Sequence, residues 1–305
     1  MVASLNSPVG SSKNIIRKII WNRGKQRDFF NALEGDWLQQ VSDYVVWEAS
    51  PKVIYPLDLS CYITQQRIDE EKLKSFNSKK QSSDPLQRLI KKRSNSLIKL
   101  YSPELGTELH QMLFRMRKKH KLLACPSCGE DGAPTTLDHY LPKERFPELS
   151  ICIENLTPMC TECQTKKHTH YSTSSGLKRF FHPYFDVIRD SFFHVEITPP
   201  FDAPRCFELK VVRCEPKQAR LLLSHIVGIQ LKPRIEEYCE SMHDNLVDLF
   251  QEGDVQGTAK DQVNAFYRME RKKLQNSWGA IYYLSVLNTP SLLTFLDKIA
   301  RENTR

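Results

Sequence analysis

The chain has 305 residues, of which 40% are hydrophobic and 26% are charged, and its formal net charge is +8. These proportions are ordinary for a folded protein and exclude a chain that is disordered overall. No stretch of about 18 apolar residues occurs, and the first residues lack the apolar core of a signal peptide. We therefore expect no membrane partner and a cytoplasmic location. The modest basic excess agrees with a nucleic-acid partner.

The N-terminal part of the chain carries mainly helical signals. Asn14 is a predicted N-cap, and Asp84-Pro85 and Ser102-Pro103 each have the polar residue followed by proline that begins many helices. Residues 60–76 are also predicted to be helical. Apolar residues at three- and four-residue steps predict a further amphipathic helix, whose apolar face we expect in the core. These residues are Phe30, Leu33, Trp37, Val41 and Val45.

Two stretches of the N-terminal part are strongly basic, and each has two interpretations. In the first, their side chains contact a nucleic-acid backbone or a partner. In the second, they form a solvated face, and at a helix C-terminus the helix dipole also favours such cations. The first stretch contains Lys13, Arg17, Lys18, Arg23, Lys25 and Arg27. The second, which precedes the first cysteine pair, contains Arg115, Arg117, Lys118, Lys119, His120 and Lys121.

The C-terminal part combines a predicted hairpin with predicted helices. Residues 192–198 and 205–212 are predicted to be strands joined around two prolines. Helical segments are predicted at about 216–251, 258–282 and 290–302. The expected fold class is therefore α+β and mostly helical.

Four of the nine cysteines form two Cys-x-x-Cys pairs, Cys125 with Cys128 and Cys160 with Cys163. Disulfides are not expected in a cytoplasmic protein. Two such pairs can supply the four thiolates of a tetrahedral structural zinc site, which has no open position for a substrate. We expect the remaining cysteines to be buried or inert thiols; they are Cys61, Cys152, Cys206, Cys214 and Cys239.

Between the two cysteine pairs, Asp138 and His139 lie next to each other on a predicted strand. Adjacent side chains of a strand point to opposite faces, so the two residues are suited to different tasks. Asp138 can bind a hard divalent cation, and His139 can accept a proton from water near neutral pH. If a helix follows the second pair, Gln164 and His168 share one face, and either could reach the same ion. Lys167 could meet a phosphate.

The order of these residues resembles that of the HNH (ββα-metal) endonucleases, in the subgroup that is clamped by zinc. The resemblance covers roughly Cys125 to Asp186. It implies that His139 is the general base, that Asp138 binds a catalytic Mg²⁺ or Mn²⁺, and that Asn155 fixes the loop that aims the base.

One position departs from the pattern of that family. The family usually has His or Asn directly after the last cysteine, where this chain has Gln164. His168 is then the preferred substitute as the second ligand of the catalytic ion, and His182 is a reserve ligand.

Two runs, Leu137–Lys143 and His182–Asp186, are also similar to HNH proteins of bacterial anti-phage systems. Some of those proteins work beside an ATPase. By analogy, the resemblance implies a nuclease effector of a defence complex, with an ATPase or another protein subunit as partner.

The sequence thus predicts a helical N-terminal region at 1–121, an HNH module with its zinc site at 122–186, and a hairpin followed by helices at 187–305. The predicted function is metal-dependent hydrolysis of phosphodiester bonds in DNA by an HNH endonuclease. The alternative is a zinc-stabilised module that binds nucleic acid or docks a partner without catalysis, which the departure at Gln164 favours.

Overall fold

The computed structural model describes residues 3–22, 24, 26–77, 84–188, 191–212, 215–253 and 257–303. Arg23, Lys25 and Cys214 lie outside these ranges. The described chain is mostly helical with two small antiparallel sheets, which confirms the expected α+β class. Within the described residues, no helix combines the length and the apolar composition needed to cross a membrane.

The helices and strands are numbered in chain order. The helices are α1 (Ser12–Asn22), α2 (Arg27–Val46), α3 (Gln65–Asn77), α4 (Pro85–Ile98), α5 (Glu108–Lys118), α6 (Thr161–Lys167), α7 (Pro216–Gly228), α8 (Leu231–Gln251), α9 (Ala259–Arg271), α10 (Trp278–Leu287) and α11 (Pro290–Asn303). The strands are β1 (Thr136–His139), β2 (Leu156–Met159), β3 (Phe193–Ile197) and β4 (Phe207–Val211). β1 pairs with β2, and β3 pairs with β4.

The predicted helix starts are correct where a side chain caps the helix locally. Asp84 accepts a hydrogen bond from the amide of Leu86, and Pro85 occupies the first turn, as expected. The start predicted at Ser102 is wrong, because α5 begins at Glu108, where the Thr107 hydroxyl accepts from the amide of His110. Likewise, α1 begins before Asn14, at a buried serine.

The apolar face of α2 packs against the segment that joins β1 to β2. Phe30, Leu33, Trp37 and Val41 are buried as predicted, whereas Val45 is 40% exposed because it lies in the last turn. The indole of Trp37 donates a hydrogen bond to the carbonyl oxygen of Glu148, at 2.6 Å. The N-terminal helices therefore support the loop on which the candidate site is built.

The hairpin predicted in the C-terminal part is confirmed, whereas two predicted helices are each divided. Residues 216–251 form α7 and α8, separated at Gln230, which has a left-handed backbone conformation with φ 49°. Residues 258–282 form α9 and the start of α10, because the Ser277 hydroxyl caps a new helix. These breaks direct α8 and α10 back towards the cysteine pairs.

Glu148, in the segment between β1 and β2, is a buried carboxylate that forms no ion pair with any residue that the structure describes. Its Oε1 atom accepts hydrogen bonds from the Leu57 amide (3.2 Å) and the Gln40 amide group (3.3 Å). Its Oε2 atom has no hydrogen-bond partner among the described residues. Burial, which disfavours the charged form, raises the pKa of Glu148 to about 7.

We expect the Glu148→Gln variant to be more stable than the wild type at pH 8 and equally stable near pH 4.5. The folded protein holds a proton on Glu148 more tightly than the unfolded chain, whose ordinary value is 4.5. Its contribution to stability is therefore complete below about pH 4.5 and is lost as the pH rises through about 7. The loss is about 3 kcal/mol.

Urea unfolding of both proteins across this pH range measures the difference. The exposed Glu252→Gln variant is the matched control and should follow the wild type. Parallel pH profiles for Glu148→Gln and the wild type would contradict the expectation.

Candidate metal centre and hydrolytic site

The four cysteines of the two Cys-x-x-Cys pairs come together in one cluster. The Sγ atoms of Cys125, Cys128, Cys160 and Cys163 lie within 4.8 Å of one another. The Sγ atoms of Cys128 and Cys160 are 3.8 Å apart. A tetrahedral zinc ion with Zn–S bonds of about 2.3 Å requires sulfur separations of about 3.8 Å. The four cysteines therefore fit a metal ion such as zinc.

Local backbone geometry presents these thiols. In the first pair, the Gly129 amide donates to the Cys125 carbonyl oxygen (2.8 Å), and Gly129 adopts φ 85°, which closes the turn. In the second pair, Cys160 is the N-cap of α6, and its sulfur accepts from the Cys163 amide (3.4 Å). The Cys160 amide donates to the Cys125 sulfur (3.3 Å), which links the two turns.

The C-terminal helices surround the cysteine cluster. The Arg234 guanidinium of α8 lies 3.6 Å from the Cys163 sulfur and 3.9 Å from the Cys128 sulfur. Its charge offsets the net negative charge that zinc and four thiolates would carry. The Trp278 indole of α10 donates to the Cys128 carbonyl oxygen (2.7 Å). No sequence pattern predicts a role for these two residues, because neither lies near the cysteines along the chain.

Strand β1 carries Asp138 and His139, as predicted. In the antiparallel register, Asp138 is opposite Thr157 and His139 is opposite Leu156. The two side chains make separate contacts, since Asp138 meets α6 and His139 meets the loop between the strands. Both are nearly inaccessible, with 4% and 6% of their surface exposed.

His139 is held as a neutral imidazole. Its Nε2 atom lies 2.9 Å from the carbonyl oxygen of Ser150. A carbonyl can only accept, so Nε2 carries the proton and Nδ1 keeps its lone pair. Burial, which disfavours the imidazolium, lowers the pKa of His139 to about 4. The ring of Tyr101 packs edge-on against the imidazole, with the ring centroids 4.4 Å apart.

Asn155 closes the loop that holds His139. Its Oδ1 atom accepts from the Leu141 amide (2.8 Å), and its Nδ2 atom donates to the carbonyl oxygens of Leu141 (3.0 Å) and Leu149 (3.2 Å). The side chain is completely buried. The residue after Leu149 is Ser150, the partner of His139. These contacts are the ones that the implied loop-fixing role of Asn155 requires, and the role itself stays a prediction.

Lys167 differs from the expectation that it could meet a phosphate. It is 1% exposed and points inward. Its Nζ atom donates to the His139 carbonyl oxygen (2.9 Å) and lies 2.8 Å from Asp138 Oδ2. The reason is helix geometry: Cys163 and Lys167 are four residues apart and share the buried face of α6.

Asp138 Oδ2 nevertheless has no directed hydrogen bond. It is close to the ammonium group of Lys167, but it accepts no hydrogen bond of acceptable geometry from any described residue. Burial raises the pKa of Asp138, and the charge of Lys167 opposes this rise. A carboxylate oxygen is a ligand that hard divalent cations prefer, and here the Lys167 ammonium occupies the position that such a cation would take.

The stacked pair expected of Gln164 and His168 does not form. α6 ends at Lys167, and His168 follows it with φ 47° and an exposed side chain near Thr169. Gln164 instead lies beside β1, with its side-chain amide 3.4 Å from the Leu137 carbonyl oxygen. Of the two alternatives, the structure brings only Gln164 to the strand that carries Asp138.

His182, the reserve ligand, lies in an aromatic core. It is completely buried, and its Nε2 atom lies 2.9 Å from the hydroxyl of Tyr44. Its Nδ1 atom accepts from the Tyr184 amide (3.2 Å). Both ring nitrogens are therefore engaged, which removes His182 from the set of metal ligands.

Comparisons with known proteins add one partial likeness. No protein-family model matches the chain, and no solved structure matches it. Protein Ea31 of Escherichia phage lambda is 35% identical over 69 residues. The match spans 23% of this chain and 23% of the phage protein, so the chain covers less than a quarter of that relative's length.

Proposed function

We propose that the protein is a metal-dependent HNH-type endonuclease that hydrolyses phosphodiester bonds in DNA. The observation that carries the proposal is the state of His139. Its Nε2–H is committed to the Ser150 carbonyl oxygen, and its Nδ1 lone pair has no hydrogen-bond partner among the described residues. A neutral imidazole with a free lone pair can take a proton from water once the site opens and relieves the burial that lowers its pKa.

In the proposed reaction, the Nδ1 atom of His139 removes a proton from water, and the resulting hydroxide attacks phosphorus while the bond to the leaving oxygen breaks. Asp138, with Gln164 as the nearer second candidate, would hold Mg²⁺ or Mn²⁺. Such an ion polarises the phosphate and stabilises the leaving oxygen. Asn155 is a positioning residue, because it acts on His139 only through the loop.

The described site is a closed form of the proposed one. Asp138 and His139 are almost completely buried, Lys167 contacts Asp138, and the Tyr101 ring packs against His139. In the proposed cycle, Lys167 leaves Asp138 when a cation binds, and Tyr101 moves to admit the phosphate.

The test is cleavage of supercoiled plasmid by the purified protein with Mg²⁺, with Mn²⁺ or with EDTA. We expect nicked or linear product with either metal and none with EDTA. Absence of cleavage under all three conditions would contradict the proposal for the isolated chain.

A zinc-stabilised binding module without catalysis is the second candidate function. The Lys167–Asp138 contact favours it, because a lysine already occupies the cation position of the site. This candidate predicts DNA binding that is unaffected by Mn²⁺, together with absence of cleavage. A role in anti-phage defence beside an ATPase subunit is a further proposal, and it rests on the motifs alone.

A further inference from the structure

We propose that the exposed cations at the end of α5 bind the phosphate backbone of DNA and hold the duplex next to His139. These are Arg115, Lys118 and Lys119, here called the α5 patch. The proposal rests on the proposed function for the identity of its partner, since a DNA nuclease must hold the strand on either side of the bond that it cuts.

The α5 patch is exposed, and its charges are not neutralised. All three side chains are exposed. None forms an ion pair with an acidic residue in the part of the chain that the structure describes. The nearest acidic residue of the helix, Glu108, lies in its first turn and is paired with Lys18 at 2.8 Å. Positive charge therefore accumulates at one end of α5.

The opposite face of α5 fixes the patch relative to the candidate site. Leu113 is 2% exposed and packs in one cluster with Leu137 of β1 and Leu156 of β2. Met112 and Met116 pack against the same cluster. The apolar face of α5 is thus anchored on the strand that carries Asp138 and His139, and the patch lies on the same helix.

A chain of direct contacts connects the end of α5 to His139. Arg117, within the basic run, donates a hydrogen bond to the Tyr101 hydroxyl (3.2 Å). The Tyr101 hydroxyl donates to the Leu137 carbonyl oxygen (3.0 Å), and the Tyr101 ring covers His139. Arg117, which lies next to Lys118 along the chain, is thus one aromatic ring away from the proposed base.

The cations at the end of α5 also have an explanation that involves no ligand, because the helix dipole favours cations at the C-terminus of any helix. The chain contains a matched case for comparison. Arg268 and Arg271 lie in the last turn of α9, Lys272 follows as its C-cap, and all three are exposed. Among the contacts of the described residues, none joins Arg268, Arg271 or Lys272 to β1. Of these two clusters, the α5 patch is the one on a helix that packs against β1, so the comparison separates DNA binding at this site from a general effect of charge.

The experiment compares two triple variants, one with Arg115, Lys118 and Lys119 each changed to Gln, the other with Arg268, Arg271 and Lys272 each changed to Gln. Binding to a fluorescent duplex of about 30 base pairs is followed by anisotropy in EDTA at several salt concentrations, so that cleavage plays no part. Thermal unfolding of all three proteins confirms that they are folded.

We expect the Kd of the α5 variant to rise at least about tenfold near 0.1 M salt. A plot of the logarithm of the association constant against the logarithm of the salt concentration has a negative slope, and we expect its magnitude to be smaller by about 2 to 3 in this variant. The Kd of the α9 variant should stay within about twofold of the wild-type value, because this variant loses the same amount of charge at a different position. Equal losses in both variants, unchanged binding in the α5 variant, or a wild type that does not bind DNA would each overturn the proposal. If only the α5 variant loses binding and the wild type never cuts DNA, the α5 patch is a DNA-binding surface but the proposed nuclease activity is wrong.

Discussion

The Cys163→Ser variant is expected to lose its zinc and to unfold under conditions in which the wild-type protein is stable. Cys163 is completely buried, and its thiol is one of the four that converge in the cluster. Structural zinc contributes about 10–16 kcal/mol to the folding of small zinc modules. That is as large as the whole stability of a typical domain, about 5–15 kcal/mol. A serine hydroxyl is a poor zinc ligand.

Zinc content per chain and thermal unfolding measure this effect. Cys239→Ser is the matched control, because Cys239 is equally buried and lies outside the cluster. It should retain full zinc and lose only about 1–3 kcal/mol. A Cys163→Ser protein with a full complement of zinc, or a wild type that contains none, would show that the cluster is not a structural metal site.

The His139→Ala variant is expected to lower plasmid cleavage by about 100- to 10,000-fold, the range usually associated with loss of a general base. Removing the imidazole also leaves the Ser150 carbonyl oxygen without its donor, at a cost of about 1–3 kcal/mol. The cysteine cluster makes no contact with His139, so the zinc content should be unchanged.

Two further variants make the His139 result interpretable. His139→Gln can still donate to Ser150 but cannot accept a proton at neutral pH, so it should fold as the wild type and remain inactive. His170→Ala removes an exposed histidine after α6 and should cleave normally. If His139→Ala keeps its zinc and cuts as fast as the wild type, another residue is the base.

The two parts of the centre are mechanically linked through α6. The helix begins at a cluster ligand, Cys160, and ends at Lys167, which contacts both Asp138 and the His139 backbone. Loss of zinc would therefore release the start of α6 and displace Lys167 from Asp138. Binding of zinc and the closed state of the proposed site are thus expected to change together.

Residues far outside the central segment complete the same structure. Arg234 and Trp278 support the cysteine cluster, and Trp37 supports the loop between the strands. Contacts therefore cross both boundaries of the three predicted regions. The helices that the sequence predicted as flanking regions provide the outer layer of the centre.

Features set by short-range geometry could be predicted from the sequence alone. Each Cys-x-x-Cys turn presents two thiols within a few residues, so the spacing was sufficient to predict the cluster. The cap at Asp84 and the buried face of α2 depend on backbone hydrogen bonding and helical periodicity, which are also local. The strand that carries Asp138 and His139 is likewise predicted from residues next to each other in the sequence.

Only the tertiary structure decided which side chains meet at the site. Lys167 pairs with Asp138 because it shares the buried face of α6 with Cys163, whereas His168 lies beyond the end of that helix and is exposed. His182 is placed in the aromatic core by α2, which lies far away along the chain. Tyr101 packs against His139 because the segment that follows α4 lies on β1, where the Tyr101 hydroxyl donates to the Leu137 carbonyl oxygen. These contacts depend on the packing of elements that are distant in the sequence, and the spacing of residues within one segment does not predict that packing.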